Sequence, residues 1–192
     1  MAAKQAALCA IAAAAAVAAA PADNVTLLQT LPAPVWATGC GFASTADASA
    51  DLTVLAMGMP FCPDGGSIVV YARSNTTALW GLATTLWSPS PGMSEGMMPF
   101  SVAVSGDGTV IVGVLPNVAT YPQGALLIFR AVGGSWAQWT QDPPYTPISG
   151  LLGGAVVAVS GNGSTMIASC GGYNTGEVAI LDFVAGNWTN AY

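Results

Sequence analysis

Eight carboxylates are the candidates for acid–base chemistry in this sequence, because two of them brought together could cleave a glycosidic bond. The candidates are Asp47, Asp51, Asp64, Glu95, Asp107, Asp142, Glu177 and Asp182. Most of them fall in predicted turns or loops, where Asp is favoured for its hydrogen bonds to the local backbone. We therefore expect structural roles and no catalytic residue, with a carboxylate-dependent glycan hydrolase or lyase as the alternative.

The sequence contains no histidine, and this excludes several common catalytic sites. A Ser-His-Asp or Cys-His pair cannot form, and zinc and non-haem iron sites lose their commonest ligand. No C-x-x-C spacing occurs. The turns at Asp107 and Asn162 lack the several oxygen ligands that a calcium loop needs. We expect no metal site, no cofactor and no specific calcium dependence.

The scarcity of charge limits the classes of partner. Only 6% of residues are charged, and Lys4, Arg73 and Arg130 are the basic ones. Two arginines in the mature chain cannot neutralise a run of phosphates, which argues against nucleic acid. The same shortage argues against anionic membrane surfaces.

The first 22 residues have the features of a secretory signal peptide. Lys4 precedes an apolar run over Ala6 to Ala20, and Ala20-Pro21-Ala22 fits the small-residue cleavage site. The run is too short and too rich in alanine for a transmembrane helix. We expect residues 1–22 to be removed, leaving residues 23–192 as a secreted or cell-surface protein without a membrane span. The alternative is an uncleaved helical tail or anchor.

Two further features agree with export. N-x-S/T sequons, which are candidates for glycosylation, occur at Asn24, Asn75, Asn162 and Asn187. Three cysteines remain after the leader, namely Cys40, Cys62 and Cys170. We expect one disulfide, between Cys40 and Cys62, because both lie in the first of three repeats described next.

A repeat of roughly 55 residues occurs three times, over about residues 38–87, 98–141 and 153–192. Each copy has a serine, then Asp or Asn two residues later, then a glycine before a second apolar run, and a closing tryptophan. These residues are Ser49, Asp51, Gly66 and Trp80, then Ser105, Asp107, Gly124 and Trp136, then Ser160, Asn162, Gly176 and Trp188. Three tryptophans at equivalent positions indicate core or inter-blade packing.

The local chemistry of the repeats predicts strands. Val102-Ala103-Val104 and Thr109 to Val112 flank Ser105-Gly106-Asp107-Gly108, and Asp-Gly between apolar runs predicts a hairpin with a type I′ turn. Asn162-Gly163 repeats this device. The continuous apolar run Ala125 to Phe129 suits a strand that is buried between sheets.

The pattern F-x-S-V-A-x-S-G-D-G-T-x-I-x-V-G, followed by G-A-x-x-x-F and G-G-S-W-x-Q, resembles the FG-GAP repeat of integrin-α-like β-propellers. The second repeat matches best, whereas the first has Asp51-Leu52 in place of Asp-Gly. The resemblance implies an all-β fold, an incomplete propeller of about three four-stranded blades; the alternative is a β-sandwich. Calcium-binding members of the family carry a D-x-D-x-D-G loop, which none of the three turns has.

We expect a non-enzymatic module that binds an extracellular protein or glycan. Aromatic residues outside the repeat register are the candidates for ligand contact, namely Trp87, Trp139, Tyr121, Tyr145 and Tyr173. The other alternative is a truncated fragment of a longer propeller.

Three blades are too few for a closed ring. We expect an open arc with at least one uncovered apolar face, and a homodimer that completes a six-blade propeller or an unstable fragment. We also expect residues 24–31 to supply or extend the outer strand of the third repeat.

We predict that the mature protein begins at Asp23 and is exported. A charged start, a short apolar run and small residues before Asp23 are the features of a cleaved signal peptide. N-terminal sequencing of the secreted protein should give Asp23 as the first residue. Recovery of an intact Met1 in the cytosol would contradict the prediction.

Overall fold

The computed structural model describes residue 27 and residues 29–61, 66–87, 101–115, 124–146, 156–171 and 176–191. The strands are β1 (Thr45–Ala48), β2 (Val54–Met59), β3 (Ser67–Ala72), β4 (Gly81–Trp87), β5 (Val102–Val104), β6 (Val110–Leu115), β7 (Ala125–Val132), β8 (Ser135–Gln141), β9 (Val157–Val159), β10 (Thr165–Gly171), β11 (Gly176–Val184) and β12 (Asn187–Asn190). A short 3-10 turn, Val35–Ala37, precedes them. The expected signal peptide, residues 1–22, lies outside the described residues.

The strands form three four-stranded antiparallel sheets, and in each sheet every strand pairs with its neighbour in the chain. We call β1–β4 the first blade, β5–β8 the second blade and β9–β12 the third blade. Each blade falls within one of the three sequence repeats. The predicted all-β fold of three four-stranded blades is confirmed.

The blades pack face to face because their strands are apolar on both sides. All six residues of β6, Val110–Leu115, are buried. Successive side chains of a strand point to opposite faces, so Ile111 joins the core shared with the first blade while Val110 and Val112 join the core shared with the third. Fully burying one such side chain contributes about 1.5–3 kcal/mol.

The first blade has its other face covered by the residues that precede it. Met57, Met59, Val69 and Tyr71 pack there against a segment that contributes Ala37 and Cys40. The Tyr71 hydroxyl donates to the carbonyl of Pro32 at 3.0 Å. We call residues 29–43 the N-terminal cap.

The expected strand exchange is not seen in the described part of residues 24–31; residues 24–26 and 28 lie outside the described residues. The cap lies on the first blade, where the Gln29 side chain accepts from the Trp80 N–H at 2.8 Å and donates to the Trp80 carbonyl at 3.0 Å. The third blade obtains its outer strand, β12, from Asn187–Asn190. This strand forms because Ala185 (φ 51°) and Gly186 (φ 88°) turn the chain straight back onto β11.

The third blade leaves one apolar face in contact with solvent. Val156 and Val178 are 66% and 65% exposed, and Ile167 is 45% exposed. We call Val156, Ala158, Ile167, Val178 and Ile180 the open face. The expectation of an open arc with an uncovered apolar face is confirmed.

The predicted type I′ turns at Asp107 and Asn162 are wrong. Only the fourth residue of each turn, Gly108 (φ 69°) or Gly163 (φ 66°), has positive φ. Pairs of positive φ, which type I′ requires, occur instead between the third and fourth strands, at Gly133–Gly134 and Ala185–Gly186. The hairpins are as predicted, but their turns bend back through a single left-handed residue.

These turns also join the blades. The Ala50 N–H donates to the carbonyl of Gly106 at 2.9 Å, and the Asp107 N–H donates to that of Gly161 at 2.7 Å. A Cβ on Gly108 would lie 2.8 Å from Cγ2 of Val54 in the first blade. Glycine is therefore required at this turn position for its backbone angle and for the close approach of the neighbouring blade.

Replacing Gly108 by Val should destabilise the protein by about 2–5 kcal/mol, the sum of a strained left-handed residue and an overpacked contact. The matched control is Gly134→Val, because Gly134 also has positive φ (75°) but nothing lies within 4 Å of an added Cβ. Urea denaturation of both variants measures the difference. Equal losses would show that the contact with Val54 does not matter.

Candidate functional site

The turn carboxylates accept hydrogen bonds inside their own turns through one oxygen each. Asp107 Oδ1 accepts from the Ser105 hydroxyl at 2.6 Å and from the N–H and hydroxyl of Thr109 at 3.0 and 2.8 Å. In the first blade Asp51 makes the same three bonds at 2.7, 3.0 and 2.8 Å. Such hydrogen bonds organise the turn, and they account for the repeated Ser-x-Asp spacing.

Asn162 takes the same place in the third blade. Its amide oxygen accepts from the Ser160 hydroxyl at 3.0 Å and from the N–H and hydroxyl of Ser164 at 3.2 and 2.8 Å. The sequon at Asn162 therefore has a structural explanation as a turn motif. Asn75, Asn162 and Asn187 are all exposed, while Asn24 lies outside the described residues. Glycosylation at these positions stays a prediction.

Hydrogen bonds hold the turn carboxylates in their charged form. The bonds from Ser49 and Thr53 lower the pKa of the Asp51 carboxyl. Burial raises the pKa of Asp107, but the bonds from Ser105 and Thr109 outweigh it, and the net pKa is below the usual value. A lowered pKa suits a structural acceptor rather than a general acid.

The other described carboxylates also have structural partners. Asp47 in the first blade accepts from the N–H of Val104 in the second blade at 2.8 Å. Asp182 accepts from the Thr165 hydroxyl at 2.7 Å. Asp142 pairs with Arg130 at 2.8 Å. Asp64, Glu95 and the side chain of Glu177 lie outside the described part of the chain. Within that part no three His, Cys, Asp or Glu side chains form a metal-binding group.

Two tryptophans form an exposed aromatic surface at one end of the first blade. The rings of Trp36 and Trp87 lie 5.1 Å apart between centroids with a tilt of 41°. They are 46% and 40% exposed, and Val35 beside Trp36 in the chain is 96% exposed. We call Val35, Trp36 and Trp87 the tryptophan surface. The sequence singled out Trp87 but missed Trp36, which precedes the first repeat and has no counterpart in the others.

A second aromatic feature lies where the second and third blades meet. The Trp188 indole N–H donates to Asp142 Oδ2 at 3.0 Å, and the Tyr145 hydroxyl donates to Asn190 Oδ1 at 2.6 Å. The groove between them has a volume of about 140 Å³, smaller than the roughly 300–1,000 Å³ of small-molecule sites. Pro143 and Pro144 also line it. This groove can take a single side chain or sugar ring at most.

The larger groove between the first and second blades has a volume of about 400 Å³. Its charged residue, Arg73, already donates to the carbonyls of Leu52 and Thr76 at 2.6 and 2.8 Å. The guanidinium also lies 4.6 Å from the centre of the Trp80 ring. Arg73 therefore holds the first turn in place, as a structural group of this groove.

The remaining candidates are distributed as follows. Trp139 is half-buried, with its ring edge against Phe129 at 5.4 Å between centroids. Tyr121, Tyr173 and Cys62 lie outside the described residues. Cys40 is buried, and the N–H of Phe61 donates to its carbonyl at 3.1 Å, which brings the neighbour of Cys62 beside Cys40. The Cys40–Cys62 disulfide stays a prediction.

No helix among the described residues is long and apolar enough to cross a membrane.

Comparison with known proteins supports the fold. No family model and no curated protein matches the chain. A putative 6-phosphogluconolactonase from Bacteroides fragilis superposes with a TM-score of 0.54 at 13% identity, over 80% of this chain and 38% of that one. TolB from Acinetobacter baumannii gives 0.45 at 13% identity over 76% and 31%. Hydrazine synthase from Kuenenia stuttgartiensis gives 0.46 at 11% identity over 86% and 38%.

The chain spans well under half the length of each of these structures. At such low identity the first likeness shows the fold alone. Together with the three blades it defines the class: the protein has a β-propeller fold with three blades.

The stability of the protein should decrease as the pH is lowered through the pKa values of the Asp51 and Asp107 carboxyls. Their lowered pKa in the folded state stabilises the protein above the unfolded pKa of about 3.9, and this contribution is lost as pH falls through the folded pKa. Thermal midpoints measured from pH 6 down to pH 2.5 should drop less in the double variant Asp51→Asn/Asp107→Asn. The control is Asn162→Asp, which should drop more. Parallel curves for all three proteins would refute this origin of the pH dependence.

Proposed function

We propose that this protein is a secreted or cell-surface β-propeller module of the FG-GAP type that binds an extracellular protein without catalysis. The observation that carries the proposal is the tryptophan surface. Trp36 and Trp87 contact each other, yet both keep at least 40% of their area exposed. Exposed tryptophans in contact are characteristic of binding surfaces, where this residue type contributes most of the affinity.

A protein ligand fits this surface better than a glycan. The tryptophan surface is apolar throughout, and Val35 adds an aliphatic side chain that is almost fully exposed. The two rings are tilted by 41° and so offer no single flat platform for a sugar ring. A glycan site needs precisely placed polar side chains beside its aromatic rings, whereas the described hydroxyl next to this surface, that of Thr38, donates to the Val35 carbonyl at 3.3 Å.

The engagement of the carboxylates supports a non-enzymatic role. Asp47, Asp51, Asp107, Asp142 and Asp182 each accept a hydrogen bond that holds a turn, joins two blades or joins two strands of one blade. A glycosidase needs one carboxyl to donate a proton and a second to act as base or nucleophile. Using these groups for catalysis would break the bonds that stabilise the fold. The hydrolase or lyase is therefore the weaker alternative.

The export signal in the sequence supports an extracellular location. Residues 1–22 carry the pattern of a signal peptide, and three sequons lie on exposed residues, namely Asn75, Asn162 and Asn187. The FG-GAP assignment rests on the G-D-G-T turn of the second repeat and on its G-G-S-W-x-Q element. The Gly-Gly of this element forms the turn from β7 to β8.

Binding is tested with the double variant Trp36→Ser/Trp87→Ser. Labelled full-length protein is applied to intact cells, to the same cells after protease treatment, and to a glycan array. We expect binding that protease abolishes and that the double variant weakens at least about tenfold, the loss typical of a hot spot. The control is Leu79→Ser, which removes an apolar side chain that is more exposed (71%) than either tryptophan and lies elsewhere.

Three results would contradict the proposal. Unchanged binding of the double variant would show that the tryptophan surface is not the site. Binding that survives protease and appears on the array would identify a glycan ligand instead. Release of products from a polysaccharide panel would establish the enzymatic alternative.

A further inference from the structure

The open face of the third blade corresponds to faces that are buried in the other two blades. Counting from the turn serine, Ile167 corresponds to Ala56 and Val112, which are completely buried. Through the strand pairing, Val178 corresponds to Ile68 and Leu126, which are also buried. In the first and second blades this face receives the next blade along the chain.

The turns are hydrogen-bonded across both interfaces, although the donor is Ala50, one residue after Ser49, at the first interface and Asp107, two residues after Ser105, at the second. The Asp107 N–H of the second blade donates to Gly161 of the third at 2.7 Å. Its counterpart in the third blade is the Asn162 N–H, which among the described residues donates to no acceptor. The series of turn-to-turn bonds therefore stops at a donor whose position matches that of Asp107.

The geometry also specifies the turn that can approach. A Cβ on Gly163 would lie 2.5 Å from Cγ2 of Val110, just as a Cβ on Gly108 would lie 2.8 Å from Cγ2 of Val54. Val54 and Val110 stand five residues after the turn serine of their blades, and Thr165 has this position in the third blade. A blade that packs against the open face must therefore have glycine at the fourth position of its turn.

A second copy of this chain does not offer such a blade at its free end. The first blade has Leu52 at the fourth turn position. At the two existing interfaces a single added Cβ at this position would already be too close to the neighbouring blade, so the longer side chain of Leu52 would clash with Thr165. The face that would dock is already covered by the N-terminal cap through Ala37 and Cys40. Closure of a six-blade ring by two copies requires the removal of this cap.

We propose that the open face of the third blade is a docking surface for one further four-stranded blade with glycine at the fourth turn position. The apolar side-chain pattern of the two existing interfaces continues into this face, and its centre is apolar through Ile167, Val178 and Ile180. Thr165 takes the position that Val54 and Val110 have in the other blades, and its hydroxyl donates to Asp182, so that the rim at this position is polar. The protein thus has a closed end at the cap and an open end at the third blade.

The test appends a blade of known chemistry to the full chain. Residues 88–146, which are the second blade with its own connector, are fused after Tyr192. The matched control is the same fusion with Leu in place of the glycine that corresponds to Gly108 in the appended copy. We expect the glycine fusion to lower the fluorescence of a hydrophobic dye at least twofold. Its thermal midpoint should rise by about 5 °C or more, since about 1 kcal/mol shifts the midpoint by roughly 2–4 °C at this size. The leucine fusion should show neither change.

A second pair of measurements keeps the test independent of how the fusion folds. In the unfused chain, Ile167→Lys/Val178→Lys should leave the thermal midpoint within about 2 °C because both side chains are exposed. In the glycine fusion the same substitutions should remove the gain in thermal midpoint.

Equal behaviour of the glycine and leucine fusions would overturn the proposal. An unfused chain that light scattering shows to be a closed oligomer, and that the lysine pair dissociates, would identify a second copy as the occupant. In that case too the proposal would be wrong.

Discussion

The distance between neighbouring blades depends on one contact, the approach of a turn glycine to a valine of the preceding blade. Gly108 approaches Val54 and Gly163 approaches Val110 so closely that a single added carbon would lie 2.8 or 2.5 Å from the valine. This approach brings the turns within hydrogen-bonding distance and lets the apolar faces of the sheets interdigitate at the density of a protein interior. At the first blade Leu52 replaces this glycine, and the face on that side is covered by the cap among the described residues.

The low charge of the protein follows from this construction. The first and second blades each bury two apolar faces and the third buries one, and many of the polar groups that remain close turns or join blades. Arg130 pairs with Asp142 and lies 3.8 Å from the centre of the Phe183 ring in the third blade, so that its charge also serves an inter-blade contact. Few charged side chains are left for recognition. The described surface therefore offers aromatic and aliphatic groups, among them those of the tryptophan surface.

The candidate site could be predicted only in part. Trp87 was identified because it lies outside the repeat register, but its partner Trp36 is distant in sequence and comes next to it only when the cap folds onto the first blade. Tyr145 was identified for the same reason, and its contact with Asn190 joins two blades. The structural use of Asp51 and Asp107 was predictable, since Asp two residues after Ser in a turn can accept local hydrogen bonds.

The sequence by itself determined the three four-stranded sheets, because alternating and continuous apolar runs between Gly-rich turns leave few other ways to bury that surface. It also determined the hairpins and the absence of histidine chemistry. The type of each turn was not determined, since Asp-Gly is compatible with several turns and the contact with the neighbouring blade selects the single left-handed glycine. Only the tertiary structure decided which end of the arc is covered. Residues 29–43 have no repeat pattern, and their place on Met57 and Tyr71 depends on long-range packing that no local spacing encodes.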